Sequence, residues 1–308
     1  MKALQIFGAI VLSLMAGLAC AQQAKSPPIA PPLELIVLGS GGPGATGRAA
    51  SSFLVVLDGK ARILIDAGPG SFVRAGETKL SLRELDIVLL THLHIDHAGE
   101  LPGLFKARAV SSRGPISFRV YGPGGAGPYP STQRFIDLLF GAQGAFAYLA
   151  DFSAPMKVEA TDITTPAGEA TEPRILLSEN GVTISAIAGH HRDAPAVIYR
   201  IDYKGRSVAF SGDIDAAGLP ALRRLAKNVD LLVFNSVVLD APASPPHLYE
   251  LHTPPKAIGE VAAEARAGRL LLAHISPAVE SQKKAVLASI RQSYKGRVLF
   301  AQDGLRLK

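Results

Sequence analysis

The chain has 308 residues, of which 48% are hydrophobic and 19% are charged, and its formal net charge is +6. This composition excludes a disordered chain and is typical of one large folded domain or two small ones. The Lys and Arg residues are scattered and form no basic block, so we expect a small-molecule substrate and no nucleic-acid partner.

The first residues have the pattern of a secretory signal peptide. Lys2 precedes the apolar run IFGAIVLSLMAGL, and Ala19-Cys20-Ala21 provides a small-residue cleavage site. We predict that residues 1–21 are removed and that the mature chain is periplasmic or secreted, with no stable membrane association. A lipoprotein anchored through Cys20 and an uncleaved anchor are the alternatives. Because Cys20 is the only cysteine, a cleaved chain would have to bind metal through imidazole and carboxylate groups.

The remaining chain predicts a linker and one α/β domain. The proline-rich residues 22–32 predict an extended linker, and residues 33–308 predict the domain. Several apolar runs in the domain lack polar residues, as expected for strands that are covered on both faces. The runs that predict strands are LELIVLG, SFLVVLD, ARILID, DIVLLT, ISFRVYG, VTISAIA, AVIYRID, RSVAFSG, DLLVFNS, RLLLAH and RVLFA.

Helices are predicted between the later strands. Apolar residues recur at helical spacing from Pro254 to Gly268, and Thr253 is the predicted N-cap. A second helix is predicted from Ser276 towards Tyr294.

Residues 122–180 differ from the rest of the domain. They are rich in Gly, Pro and Ala, and they contain three basic against seven acidic residues. This pattern predicts an insertion or a lid over a cleft.

The segment THLHIDH at residues 91–97 contains three of the eight histidines and directly follows the apolar run DIVLL. Side chains two residues apart in an extended segment face the same way, so His92 and His94 can bind one metal ion. His97, directly after Asp96, is expected to face a second ion. Imidazole and carboxylate ligands suit zinc, and also iron or manganese.

Three later polar segments also follow apolar runs. They are GHH at 189–191, SGDID at 211–215 and AHIS at 273–276. We expect the ends of the corresponding strands to meet along one edge of the sheet. Taken singly, Asp213 is an ordinary turn residue and His274 an ordinary core residue. Their recurrence after apolar runs favours a shared site.

The motif THLHIDH resembles the HxHxDH motif of the metallo-β-lactamase superfamily, and the later His, Asp and His come in that family's order. The segments GSGGPGATGRAASSF, ILIDAGPG and LHTPPKAIGEVAAEA are similar to the branch that contains ribonuclease Z and the related arylsulfatases. The resemblance covers residues 33–308. It implies a four-layer αββα sandwich of two mixed β-sheets flanked by helices, with metal ions at one edge between the sheets.

The resemblance also implies two divalent metal ions, because seven ligand candidates exceed the four ligands of one tetrahedral zinc. Zinc is favoured, and iron and manganese are the alternatives. Within GHH, the spacing to Pro195 favours His191, with His190 as the alternative. The resemblance implies that the first ion is bound by His92, His94 and His191 and the second ion by Asp96, His97 and His274. Asp213 would bridge the two ions, and Asp66 would orient the HxHxDH loop.

The resemblance further implies a hydrolase in which a hydroxide shared by the two ions attacks the substrate. Asp96 would orient this hydroxide, and His252 in LHTPP would donate a proton or bind the anionic substrate. The alternative for His252 is a helix flank that faces water. His247 is expected to lie in a surface loop.

Two features depart from ribonuclease Z. The chain has Phe234-Asn235-Ser236 where those relatives carry a His-Glu pair, and residues 122–180 are acidic where a basic arm would grip tRNA. Together with the predicted export, these features lead us to expect hydrolysis of a small ester, with sulfate and phosphate esters favoured. A lactonase or thioesterase on the same scaffold and a metal-binding protein without turnover are the alternatives.

Overall fold

The computed structural model describes residues 31–164 and 172–308 and contains two seven-stranded β-sheets. The predicted signal peptide at residues 1–21, with Cys20, lies outside the described residues. Residues 22–30 of the predicted linker also lie outside them. Among the described residues, no helix has the length and apolar character needed to cross a membrane.

The first sheet combines the N-terminal half of the chain with its last strand. In spatial order its strands are β14 (Arg306–Leu307), β1 (Leu33–Gly39), β2 (Ser52–Leu57), β3 (Lys60–Ile65), β4 (Ile87–Leu89), β5 (Ile116–Pro123) and β6 (Met156–Ile163). Strands β14 to β3 pair antiparallel, and β3 to β6 pair parallel. The sheet is therefore mixed.

The second sheet comes from the C-terminal half. In spatial order its strands are β13 (Arg297–Phe300), β12 (Arg269–Ala273), β11 (Leu231–Asn235), β10 (Arg206–Phe210), β9 (Val197–Tyr203), β8 (Val182–Ala188) and β7 (Arg174–Glu179). Strands β10 to β13 pair parallel, and β9 is antiparallel to both β8 and β10. Strand β8 therefore runs in the same direction as β10.

The apolar residues form three layers. The middle layer lies between the sheets and includes Phe53 and Phe210, whose ring centroids are 5.5 Å apart. The two outer layers lie under the helices. The helices are α1 (Ser71–Glu77), α2 (Ile95–Ala98), α3 (Leu101–Ser111) and α4 (Thr132–Phe140) on the first sheet, and α5 (Leu219–Leu225), α6 (Pro255–Glu264), α7 (Pro277–Ser281) and α8 (Lys283–Ile290) on the second. The predicted αββα sandwich is confirmed.

The structure also shows what the sequence patterns missed. Every apolar run predicted as a strand forms one, whereas β6, β7 and β14 were not predicted. Strands β6 and β7 are edge strands with many partly exposed residues, so they lack a continuous apolar run. Residues 122–180 contribute α4, β6 and β7 to the sandwich. Their role as a lid stays a prediction.

Two helices differ from the predictions. Helix α6 begins at Pro255 with Pro254 as its N-cap, because the Thr253 hydroxyl donates instead to the Ile214 carbonyl at 2.9 Å. The single helix predicted after Ser276 is interrupted at Gln282, which divides it into α7 and α8.

Candidate metal centre

The topology brings the carboxyl ends of several strands to one edge of the sandwich. Parallel β3 and β4 end at the same edge of the first sheet, and β8, β10, β11 and β12 run together in the second. Hydrogen bonds fix the two edges to each other. Val197 N donates to Thr91 O at 2.8 Å, and the Tyr199 hydroxyl donates to Leu90 O at 3.0 Å. Polar side chains that follow these strands therefore meet.

Three histidines form what we call the first cluster: His92, His94 and His191. One ring nitrogen from each lies within 4.8 Å of the others. His92 Nε2 is 3.0 Å from His94 Nδ1. His92 and His191 are buried, whereas His94 is only partly buried. This cluster therefore borders the solvent.

The second cluster consists of Asp96, His97 and His274. Its three ligand atoms also lie within 4.8 Å of one another. The Asp96 Oδ2 atom is 3.1 Å from His274 Nε2 and 3.6 Å from His97 Nε2. All three side chains are buried.

Asp213 lies between the clusters. Its Oδ2 atom is 3.4 Å from His274 Nε2, 3.6 Å from His97 Nε2 and 3.9 Å from His191 Nε2. Its Oδ1 atom accepts a hydrogen bond from Asn235 Nδ2 at 2.7 Å. One carboxylate oxygen thus faces both clusters, while an amide holds the other oxygen.

Asp66 fixes the orientation of the HxHxDH segment. Its Oδ2 atom is 2.7 Å from His97 Nδ1 and accepts from the Thr91 hydroxyl at 2.9 Å, and its Oδ1 atom accepts from Thr91 N at 2.7 Å. His97 Nε2 consequently faces the second cluster. This nitrogen is buried and has no hydrogen-bond partner within the described part of the chain.

The residues of the two clusters fit divalent cations. A buried polar nitrogen without a partner is costly, and a cation that accepts its lone pair would remove that cost. The remaining donors are imidazole nitrogens and carboxylate oxygens, which are common zinc ligands. Second partners, such as Asp66 for His97 and the Leu251 carbonyl for His191 Nδ1 at 2.8 Å, hold rings in the way that metal-binding histidines require.

The ionisation of the site agrees with this donor set. Burial lowers the pKa of His92 well below its usual value, and nearby His97 adds to the effect. Burial opposes ionisation of Asp213, but His274 and His252 hold the pKa of its carboxyl well below the usual range. A neutral imidazole and an ionised carboxylate are the forms that bind metal.

His97 has the opposite shift. Burial would lower its pKa, but the carboxylates of Asp66 and Asp213 raise the pKa well above its usual value. These two carboxylates therefore favour positive charge at His97, and a bound cation would supply such charge.

The structure distinguishes the three remaining histidines by their burial and their distance from the clusters. His252 is buried, its Nδ1 atom is 3.8 Å from Asp213 Oδ2, and burial lowers its pKa to about 4. The alternative of a water-facing helix flank is therefore wrong. His190 is half exposed and its Nδ1 atom is 2.6 Å from Asp215 Oδ2, so it lies outside both clusters. His247 is exposed, as expected.

Two side chains at the site were not assigned roles from the sequence. The Tyr129 hydroxyl is 3.2 Å from His94 Nε2, and Asn235 donates to Asp213. Asn235 is the last residue of β11. It is therefore a polar residue at the end of an apolar run, which is the pattern that predicted the other site residues. Tyr129 lies in a loop rich in Gly and Pro, where no periodic pattern marks it.

The backbone is constrained at two of these positions. Asp66 and His274 have φ values of 55° and 52°, a left-handed conformation that residues other than Gly rarely adopt. Gly42 packs against the His274 ring so closely that a Cβ atom there would overlap it. The surrounding structure therefore dictates where the His274 ring lies.

A family model described as the β-lactamase superfamily domain matches residues 61–275, which is more than half of the chain. The chain belongs to the metallo-β-lactamase superfamily. Together with the His and Asp donors of the two clusters, this family makes the chain a metal-dependent hydrolase.

A ribonuclease Z relative is similar over most of the chain, and two solved structures share the fold. Ribonuclease Z from Mycobacterium avium is 29% identical over 286 residues, which cover 88% of this chain and 96% of the relative. The short form of human tRNase Z has a TM-score of 0.68 at 20% identity, with 89% of this chain and 98% of that chain covered. The metallo-β-lactamase fold protein YhfI from Bacillus subtilis has a TM-score of 0.65 at 20% identity, with 90% and 99% covered.

The ribonuclease relatives contradict two expectations from the sequence. These are the small ester substrate and the absence of a nucleic-acid partner. They depended on the lack of a basic block, the acidic character of residues 122–180, the missing His-Glu pair and the predicted export. Such counts are weak guides, because contacts to phosphates can come from residues that are far apart in the sequence and close together in the fold.

Proposed function

We propose that this chain is a dinuclear metal-dependent phosphodiesterase that cleaves RNA. The observation that carries the proposal is the position of Asp213 Oδ2, which faces His97 and His274 on one side and His191 on the other. A single carboxylate oxygen between two ligand clusters is the arrangement that a pair of cations needs. The ribonuclease relatives supply the substrate class.

In this proposal the first cluster would hold one ion, the second cluster would hold another, and Asp213 would contribute a carboxylate to both. Zinc is the favoured metal, because the donors are imidazole and carboxylate groups and residues 22–308 contain no cysteine. Bound divalent ions supply a water molecule of lowered pKa and positive charge near the phosphate oxygens.

The protein side chains would perform the remaining work. Asp96 would orient the attacking water and accept its proton, because its carboxylate lies at the second cluster, with Oδ2 3.1 Å from His274 Nε2. His252 lies beside Asp213 and, within the described residues, has no glutamate partner that would support proton donation. We therefore assign His252 to binding an anionic oxygen of the substrate through its ring N–H. Asn235 keeps Asp213 oriented.

Metal analysis and a substrate panel test the proposal. We expect two equivalents of metal per chain, cleavage of an unprocessed tRNA transcript, and slower cleavage of bis(4-nitrophenyl) phosphate. The panel also contains an aryl sulfate, a lactone and a thioester. Full metal content with turnover of one of these three and none of either phosphodiester would overturn the proposal.

Adjacent histidines provide a matched pair of variants. His191→Ala should lower phosphodiester cleavage by more than about 100-fold, since loss of even an outer partner of a metal ligand costs roughly 10–100-fold. His190→Ala removes the neighbouring ring, which is half exposed and lies outside the clusters, and should retain near-normal cleavage. Equal effects of the two substitutions would contradict the assignment of the first cluster.

A further inference from the structure

We propose that a pocket lined by three arginines, which we call the arginine pocket, binds a phosphate group away from the metal centre. Arg83 precedes β4, Arg108 lies in the last turn of α3, and Arg113 lies in the loop before β5. The pocket is open to solvent and has a volume of about 220 Å³, and its other lining residues are Ser112, Gly114 and Pro115. No acidic side chain lines it.

Arg108 is the strongest indication of a ligand. It is only 9% exposed. Its Nε donates to the Leu85 carbonyl at 3.1 Å, and one terminal nitrogen donates to the Ser112 hydroxyl. Among the described residues, it has no ion pair with a carboxylate. Burying a guanidinium without a counter-charge is costly. A negatively charged ligand in the pocket would offset that cost.

The nearest acidic residues do not fill that role. Asp86 and Glu84 act on Arg108 through space and partly oppose the effect of burial, which lowers the pKa of this guanidinium. Asp86, however, is held by Arg62 and Arg119, and Glu84 pairs with Lys60 at 3.1 Å. Their charges are therefore already compensated by other cations.

The other two arginines leave donors available. Arg83 uses its Nε to donate to the Ser111 carbonyl at 2.6 Å, which leaves its four terminal N–H groups without a carboxylate partner in the described structure. Arg113 is exposed and likewise forms no ion pair there. The forked geometry of guanidinium groups matches phosphate oxygens, and an oxyanion between them would relieve their mutual repulsion.

The arginine pocket is separate from the metal centre. Helix α3 begins at Leu101, close to His97, and its 11 residues extend about 16 Å to the pocket. Free phosphate and a phosphate of a polynucleotide backbone offer the same chemistry here. In the second case the pocket would hold part of an RNA substrate, and this extension alone rests on the proposed function.

Calorimetric titration of the metal-loaded full chain with inorganic phosphate tests the proposal. Arg83→Gln and Arg113→Gln, both at exposed positions, should each weaken one class of phosphate site by about tenfold, which is the scale of one charge-assisted hydrogen bond. Arg291→Gln, an exposed arginine at the end of α8, is the matched control and should bind like the wild type. Metal content and thermal unfolding verify that each variant is folded.

A second titration uses a single-stranded RNA of about ten nucleotides. Weaker binding of both ligands to the Arg83 and Arg113 variants identifies a backbone phosphate site, and weaker binding of inorganic phosphate alone identifies a free-phosphate site. Either result supports the arginine pocket. Phosphate affinities equal to that of Arg291→Gln would overturn it. Because binding is measured directly, this outcome does not depend on whether the chain cleaves RNA.

Discussion

The two ligand clusters differ in charge and in exposure. The first cluster contains three histidines, and its outer partners are neutral groups, the Tyr129 hydroxyl and the Leu251 carbonyl. The second cluster contains a carboxylate of its own, and Asp66 adds another behind His97. It is also completely buried, whereas His94 in the first cluster is partly exposed. Negative charge in a buried position favours a cation strongly, so we expect the second cluster to hold its ion more tightly.

The largest effect is expected from a substitution that disrupts both clusters. Asp213→Ala removes the oxygen that faces both of them, so metal content should fall and phosphodiester cleavage should decrease by more than about 100-fold. Metal analysis and cleavage assays measure the result. Asp193→Ala, at an exposed position near His191, is the control and should change neither quantity. Two bound ions in the Asp213 variant would contradict the bridging role.

A smaller effect should be confined to the second cluster. Asp66→Asn replaces the anionic partner of His97 with a neutral one and should weaken metal binding there by about 10–100-fold. Competition with a chelator should show that the tighter of the two binding events has weakened while the other is unchanged. If only the weaker binding event changed, the second cluster would be the one that holds its ion less tightly, contrary to our expectation.

The smallest effect should be confined to the first cluster. Tyr129→Phe removes a neutral hydroxyl from His94 Nε2 and should weaken the looser metal-binding event by less than about tenfold, because a hydrogen bond between neutral groups contributes about 1 kcal/mol. The same chelator competition measures it. Tyr148→Phe, an exposed tyrosine in the same part of the chain, should leave both binding events unchanged.

The sequence predicted the fold where a single physical pattern dominated. Strands β10, β11 and β12 are buried on both faces, so their apolar runs were unambiguous. Strands β6 and β7 were missed because an edge strand mixes exposed and buried residues. Local patterns also could not show that the Thr253 hydroxyl would bond to the Ile214 carbonyl, since that partner is distant in sequence.

The candidate site was also predicted where local sequence patterns were clear and missed where only the tertiary fold brings residues together. The spacing in THLHIDH and the polar ends of the later strands marked residues that the structure brings together, and the family resemblance selected His191 in place of His190. Tyr129 could not be predicted, because only the tertiary fold brings its loop to His94. The expected substrate class was wrong, because counts of charged residues along the sequence do not show which of them lie together in the fold.

The site residues are spread widely along the polypeptide, from Asp66 to His274. During synthesis the HxHxDH segment leaves the ribosome about 180 residues before the last ligand, and domains fold as units. A chain that ends before His274 would lack one residue of the second cluster and the last strands that position the others. Under the proposed function, any nascent or prematurely terminated product that ends before His274 should thus be inactive, so that phosphodiester cleavage begins only after almost the whole domain has been made.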